Sequence, residues 1–135
     1  MKFDFDGNGL VAAHQHSNGG GWVADTAIVD YSAFVGPDAR VYGNAIVSGN
    51  ARVFGKARVF GKARVFGKAR VFGQARVYGH ASIFGNSVVF GKARVYGNAC
   101  IFGNARVSGD TRVFGDTRVC GDIKQHKGES RWHKD

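Results

Sequence analysis

Arginine recurs in this chain at a fixed place in a short cycle, with an aromatic ring two residues further on. Arg52-Val53-Phe54, Arg58-Val59-Phe60, Arg76-Val77-Tyr78 and Arg94-Val95-Tyr96 show the pattern. Guanidinium beside aromatic is the pair that holds phosphates and stacks on bases. The other chemistry-bearing residues are scattered. The histidines are His14, His16, His80, His126 and His133. His14 and His16 have the spacing of a metal pair on one strand, but no further ligand stands near them, and the reading for metal is none. His80 is the one histidine inside the cycle, a weak candidate for a general base. Asp4-Phe5-Asp6-Gly7-Asn8-Gly9 matches the first half of a calcium loop. The closing acid fails because Gln15 stands there, so a glycine turn between short strands is the better reading. Asp110, Asp116 and Asp122 are expected at three different corners, where they cannot cluster. Cys100 and Cys120 make no disulfide framework and read as free thiols.

The elements that position these groups follow from the period. Residues 21–122 divide into seventeen consecutive hexads without a break. One place in each is aliphatic, from Val23 through Val53, Val59 and Val65 to Val119, with Ile83 and Ile101 as variants. Two residues earlier stands a small one: Gly21, then mostly Ala, with Ser87, Thr111 and Thr117. Alternation along a short strand puts both on one face. The glycine two places after the aliphatic residue permits the positive φ of a sharp corner. A fixed short period of this kind marks a solenoid, in which each unit packs on its neighbours. Residues 1–20 lie outside the period and read as an N-terminal cap, with Phe3, Phe5, Leu10 and Val11 covering the first coil and Gly19-Gly20-Gly21 as a flexible entry. Residues 123–135 read as a polar basic tail with Trp132 as its one large apolar group.

The chain has 135 residues, the length of one domain, with 44% hydrophobic residues, enough for a core. The 21 glycines against 1 proline suit many tight turns and exclude collagen and a disordered linker. A net charge of +9 favours polyanions, nucleotides or acidic protein surfaces as partners, and equally serves solubility. The acids near Met1 and the lack of any long apolar run argue against a signal peptide, a membrane span or a membrane partner, so a cytoplasmic location is expected.

These hexads resemble the hexapeptide-repeat family, whose units carry an aliphatic residue with a small residue two places before it. Small bacterial and phage members are often labelled acetyltransferases. The resemblance covers 21–122 and implies an all-β, left-handed parallel β-helix in which three hexads make one triangular coil of eighteen residues. Seventeen units give between five and six coils. One departure stands out: the family often has Gly directly after the aliphatic residue, where this chain has Phe, Tyr or Ser and places Gly one later. The resemblance also implies a homo-oligomer, commonly a trimer.

With eighteen residues per coil, residues that differ by eighteen share a column. On the first face the outward columns are then Trp22, Arg40, Arg58, Arg76, Arg94, Arg112 and, beside it, Ala24, Tyr42, Phe60, Tyr78, Tyr96, Phe114. The residues expected to bind a ligand are Arg40, Arg58, Arg76, Arg94 and Arg112 for phosphate pairing, with Tyr42, Tyr78 and Tyr96 for ring stacking. The second face is less charged, and Ile28, Ile46, Phe66, Phe84 and Phe102 would form an exposed patch suited to the oligomer contact. The leading functional expectation is a non-enzymatic binding or sequestering module for a nucleotide or nucleic acid, with no cofactor. By analogy alone, a phage member would act on a host defence component or its nucleotide signal. The alternatives are an acyl-CoA-dependent acyltransferase, for which only a basic groove is present, and a structural solenoid that stacks end to end.

Overall fold

A computed structural model describes residues 1–120, together with the backbone of 122–123 and 129–130. Trp132, His126 and His133 lie outside the described residues. Every regular element among the described residues is a β-strand, and no helix is long and apolar enough to cross a membrane.

From Arg40 onward each hexad folds in the same way. In Ala51–Lys56, Arg52–Val53 is a two-residue strand. Phe54 leaves it, and Gly55 and Lys56 make the corner. Ala51 and Val53 are fully buried, whereas Arg52 is exposed. The coil above receives the backbone donors: Arg52 N–H to Ala69 O at 2.9 Å, Phe54 N–H to Val71 O at 2.9 Å, Lys56 N–H to Gly73 O at 2.7 Å. Corners are thus hydrogen-bonded from rung to rung as well as strands. Ala57 N–H closes the turn on Phe54 O at 3.3 Å. This corner answers the family departure noted above. Gly55, the first central residue of the turn, has φ +62°, and a Cβ there would stand 2.9 Å from Gly73 N. Both the dihedral and the close approach of the next coil demand glycine.

Three sheets result, of nine, six and six strands. Their parallel registers are eighteen residues apart: Arg40 with Arg58, Ile46 with Arg64, Arg52 with Arg70. The chain is a parallel β-solenoid with a core of stacked valine and alanine. Burying three valines and three alanines per coil contributes roughly 5–8 kcal/mol before conformational entropy. Where the small inward residue is polar, its hydroxyl finds an acceptor. Ser87, Thr111 and Thr117 donate to Phe84 O (2.8 Å), Ser108 O (2.7 Å) and Phe114 O (2.7 Å), the turn carbonyls three residues back.

Both ends depart from the repeat. The first coil has no corner glycine where Asp25-Thr26, Tyr31-Ser32 and Pro37-Asp38 stand. There the Thr26 hydroxyl donates to Gly43 O and the Ser32 hydroxyl to Gly49 O, doing the task that a backbone N–H does in later coils. At the other end Asp122 is not a corner residue, as the hexad count expects. Asp122–Ile123 is a strand, with Ile123 opposite Val107 and Asp122 opposite Arg106, a step of sixteen residues. The next aliphatic residue after Val119 comes four places on instead of six, and register follows the aliphatic residue. Glu129–Ser130 then pairs with Arg112–Val113.

The cap consists of β1 (Lys2–Phe3) and β2 (Val11–Gln15). β2 runs antiparallel along β3 (Trp22–Ala24), the first strand of the solenoid, so the first sheet is extended downward. The link between β1 and β2 is the expected glycine turn: Asp4 and Asp6 carboxylates accept from Gly7 N–H (2.7 Å) and Asn8 N–H (3.0 Å). Phe3 and Phe5 pack on Trp22 and Tyr42, as a cap requires. Leu10 and Val11 do not: they are 67% and 48% exposed. β3 ends at Ala24, opposite Ala13, so Val11 projects past the end of its partner. The segment from His16 to Gly21 crosses to the third sheet and is firmly held. Val35 N–H donates to Asn18 O, Gly21 N–H to Val35 O, and the buried His16 donates from Nε2 to Ala33 O at 2.8 Å. The glycine entry is therefore fixed in place, with Gly19 too close to Val35 O for any Cβ (2.2 Å).

Candidate anion-binding face

The first face brings the expected arginines into one column. Trp22, Arg40, Arg58, Arg76, Arg94 and Arg112 are successive register partners. Each stands before a buried valine, which forces its own side chain outward. Arg76 and Arg112 are exposed, while Arg40, Arg58 and Arg94 are half-buried. Among the described residues, no arginine or lysine lies within 4.0 Å of a carboxylate oxygen; the one such contact is His14 Nδ1 to Asp25 Oδ1, at 2.7 Å. The other faces carry broken columns. On the third face Val88 separates Arg70 from Arg106, and on the second Ser82 and Cys100 separate Arg64 from Arg118.

Beside the arginines runs a column of rings in face-to-face contact. Tyr42, Phe60, Tyr78, Tyr96 and Phe114 stack at centroid distances of 4.8, 4.9, 5.0 and 5.4 Å, with interplanar angles of 3–10°. Phe5 of the cap lengthens the stack, 5.0 Å from Tyr42. Here the structure corrects the role expected of Tyr42, Tyr78 and Tyr96. Their faces are taken by the neighbouring rings, and the hydrogen-bonded rungs fix the spacing, so a base cannot enter between them. Tyr42 is itself buried, so only ring edges and phenol groups of the half-buried Tyr78 and Tyr96 remain. At Tyr42, Phe60, Tyr78 and Tyr96 no arginine stands over the ring. Among the described residues, cation–π contacts join Arg40 to Phe3 (5.2 Å) and Arg52 to Phe34 (5.3 Å). Burial pushes the Tyr42 and Tyr78 phenols above the usual value of 10.0; the Arg58 guanidinium pulls Tyr42 back in part, and Arg94 and Arg112 do so for Tyr78.

At its lower end this face deepens into a groove of about 440 Å³, lined among others by Phe3, Trp22, Asp38, Arg40, Lys56 and Arg58. Arg40 is ordered there by the cap, its Nη1 donating to Phe5 O at 2.8 Å. The sequence reading missed Lys56 and Asp38 as partners of the arginines. They hold the corner just before Arg58 and Arg40 and differ by eighteen, a signal that a column through the corners would have shown.

The remaining candidates stay apart. His14 meets Asp25, while the buried His16 meets Ala33 O, so the two histidines do not converge. No group of three metal-ligating side chains forms among the described residues. His80 is exposed at a corner, its backbone N–H donating to Gly97 O at 2.8 Å. Cys100 and Cys120 are not joined in a disulfide. On the second face Phe66, Phe84 and Phe102 stack on one another at 4.9 and 5.6 Å. They and Ile46 are half-buried, which leaves Ile28, 58% exposed, as the one exposed member of that expected patch.

Three stacked sheets, an eighteen-residue winding and a valine–alanine interior define a repeat-type parallel β-helix protein, and the chain belongs to that class. A family model described as YdcK Beta solenoid repeat matches residues 39–55, 93–109 and 100–121. No curated protein and no solved structure matches the chain.

Proposed function

We propose that this protein is a non-enzymatic binding module whose first face holds the phosphates of a nucleotide or nucleic acid. The observation that carries the reading is the unbroken column Arg58, Arg76, Arg94, Arg112, in register and without a carboxylate within 4.0 Å among the described residues. Guanidinium groups about 5 Å apart repel by roughly 0.8 kcal/mol per neighbouring pair even in water. A row of anions removes that cost and gains charge-assisted hydrogen bonds. Stacked rings beside the column hold its outer wall rigid, and their phenols add neutral donors. The arrangement reads phosphate and not base identity, since the ring faces are closed. Binding is therefore expected to be salt-sensitive and tolerant of sequence.

The test is fluorescence anisotropy with a labelled single-stranded oligonucleotide across a salt series. Four arginine–phosphate contacts give a slope of log K against log salt of about −3, at about −0.7 per contact. Arg76→Gln, Arg94→Gln and Arg112→Gln together should lower its magnitude by about 2. Arg64→Gln with Arg118→Gln, on the second face, should leave it unchanged. Equal losses per charge removed from the two variants would reduce the effect to net charge and remove the first face as a site.

A further inference from the structure

The groove below the arginine column differs in kind from the column itself. We infer that it is a site for a free nucleoside phosphate, with the base against the Phe3–Trp22 wall and the phosphates on Lys56 and Arg58. The inference rests on the reading that this face takes phosphate, and it adds a ligand class and a place. Its volume, about 440 Å³, falls within the range of small-molecule sites. One wall is aromatic: Phe3 and Trp22 stack at 4.7 Å with an interplanar angle of 15°. Arg40, Lys56 and Arg58 bring three cations to the same groove.

Arg40 is positioned before any ligand arrives. The Phe5 carbonyl holds one of its nitrogens at 2.8 Å and its carbon stands 5.2 Å from the Phe3 ring centroid, so its charge is fixed against the aromatic wall. Lys56 and Arg58 have no carboxylate within 4.0 Å among the described residues, although Asp38 lines the same groove. A carboxylate beside cations that lack a carboxylate partner, together with a ring wall, is poorly matched to inorganic phosphate, which has no use for the rings. It is equally poorly matched to an apolar molecule, which would desolvate three cations. A nucleoside phosphate uses each part: its base against the edges of the Phe3–Trp22 pair, phosphate on lysine and arginine, and a base amine or ribose hydroxyl on Asp38. Among the described residues this set occurs once, because Phe3 comes from the cap and Trp22 heads the column that continues as arginine.

Trp22 supplies the readout. The chain has two tryptophans, so Trp132→Phe leaves Trp22 as the only indole. In that variant, ATP should quench Trp22 emission saturably, and inorganic triphosphate should bind at least tenfold more weakly without quenching. Adding Lys56→Gln, at an exposed corner, should weaken ATP at least threefold with an unchanged melting temperature. Adding Arg94→Gln and Arg112→Gln, higher on the column, should leave the ATP titration as it was. The inference falls if ATP gives no saturable quench, if triphosphate binds as tightly as ATP, or if Arg94 and Arg112 matter and Lys56 does not. Salt-dependent oligonucleotide binding that persists without ATP binding would overturn the groove alone. Loss of both would overturn the column with it.

Discussion

The first and second faces share one interior, each carry a column of stacked rings, and differ in the residues that precede the inward aliphatic one. Val77 and Val65 are both fully buried, each between a small residue two places before it and the next coil. Yet the residue preceding Val77 belongs to an unbroken arginine column, whereas the one preceding Val65 is flanked by Ile46 and Ser82. The inward rows are thus equally buried at these places on both faces, while the outward columns are free to vary. A solenoid separates the two tasks by alternation: one residue inward, the next outward.

Three measurements break or sharpen that contrast. The largest effect belongs to the interior. Val77→Asp and Val65→Asp each bury an unpaired carboxylate and should cost about 4 kcal/mol or more, enough to abolish the cooperative urea transition on either face. If one of them folded normally, the shared interior would be refuted. Next come the corners. Gly97 has φ +69°, and an added Cβ would stand 2.7 Å from Gly115 N. Gly97→Ala should destabilise by about 2–4 kcal/mol in equilibrium unfolding, combining left-handed strain with that contact. In the first coil, where a hydroxyl takes the place of the backbone donor, Thr26→Ala should cost only about 1 kcal/mol. The smallest effect is on the first face alone. Tyr42 and Tyr78 are raised above 10.0 by burial, so the folded chain holds its phenol protons longer than the unfolded one. Their contribution to stability is complete below pH 10.0 and is lost as pH rises through the folded values. Absorbance titration of the phenolates in native and urea-unfolded protein checks this. Coincident curves would place these hydroxyls in bulk solvent.

Much of this architecture was legible in the residues themselves. A six-residue period with one aliphatic and one small place identified the inward rows, since period-2 alternation leaves no other face for them. The arginine places followed as outward by the same rule. The number of residues per coil was not readable from spacing; it entered with the family resemblance, and the register of Arg40 on Arg58 bears it out. The ring column shows where the reading stopped. Alternation placed Tyr42, Tyr78 and Tyr96 beside the arginines, but not whether their faces would meet a ligand or one another.

What the sequence determined by itself is whatever repeats: which side chains are hidden, where the chain bends, which charges line up. Each repeating contact joins equivalent places on adjacent rungs, so one unit specifies them all. What the tertiary structure alone decided is whatever happens once: the cap laid along the first sheet, Arg40 tied to Phe5, the groove between Trp22 and Lys56, and the shortened step after Val119. These contacts join segments with no common period, so no regularity in the chain announces them.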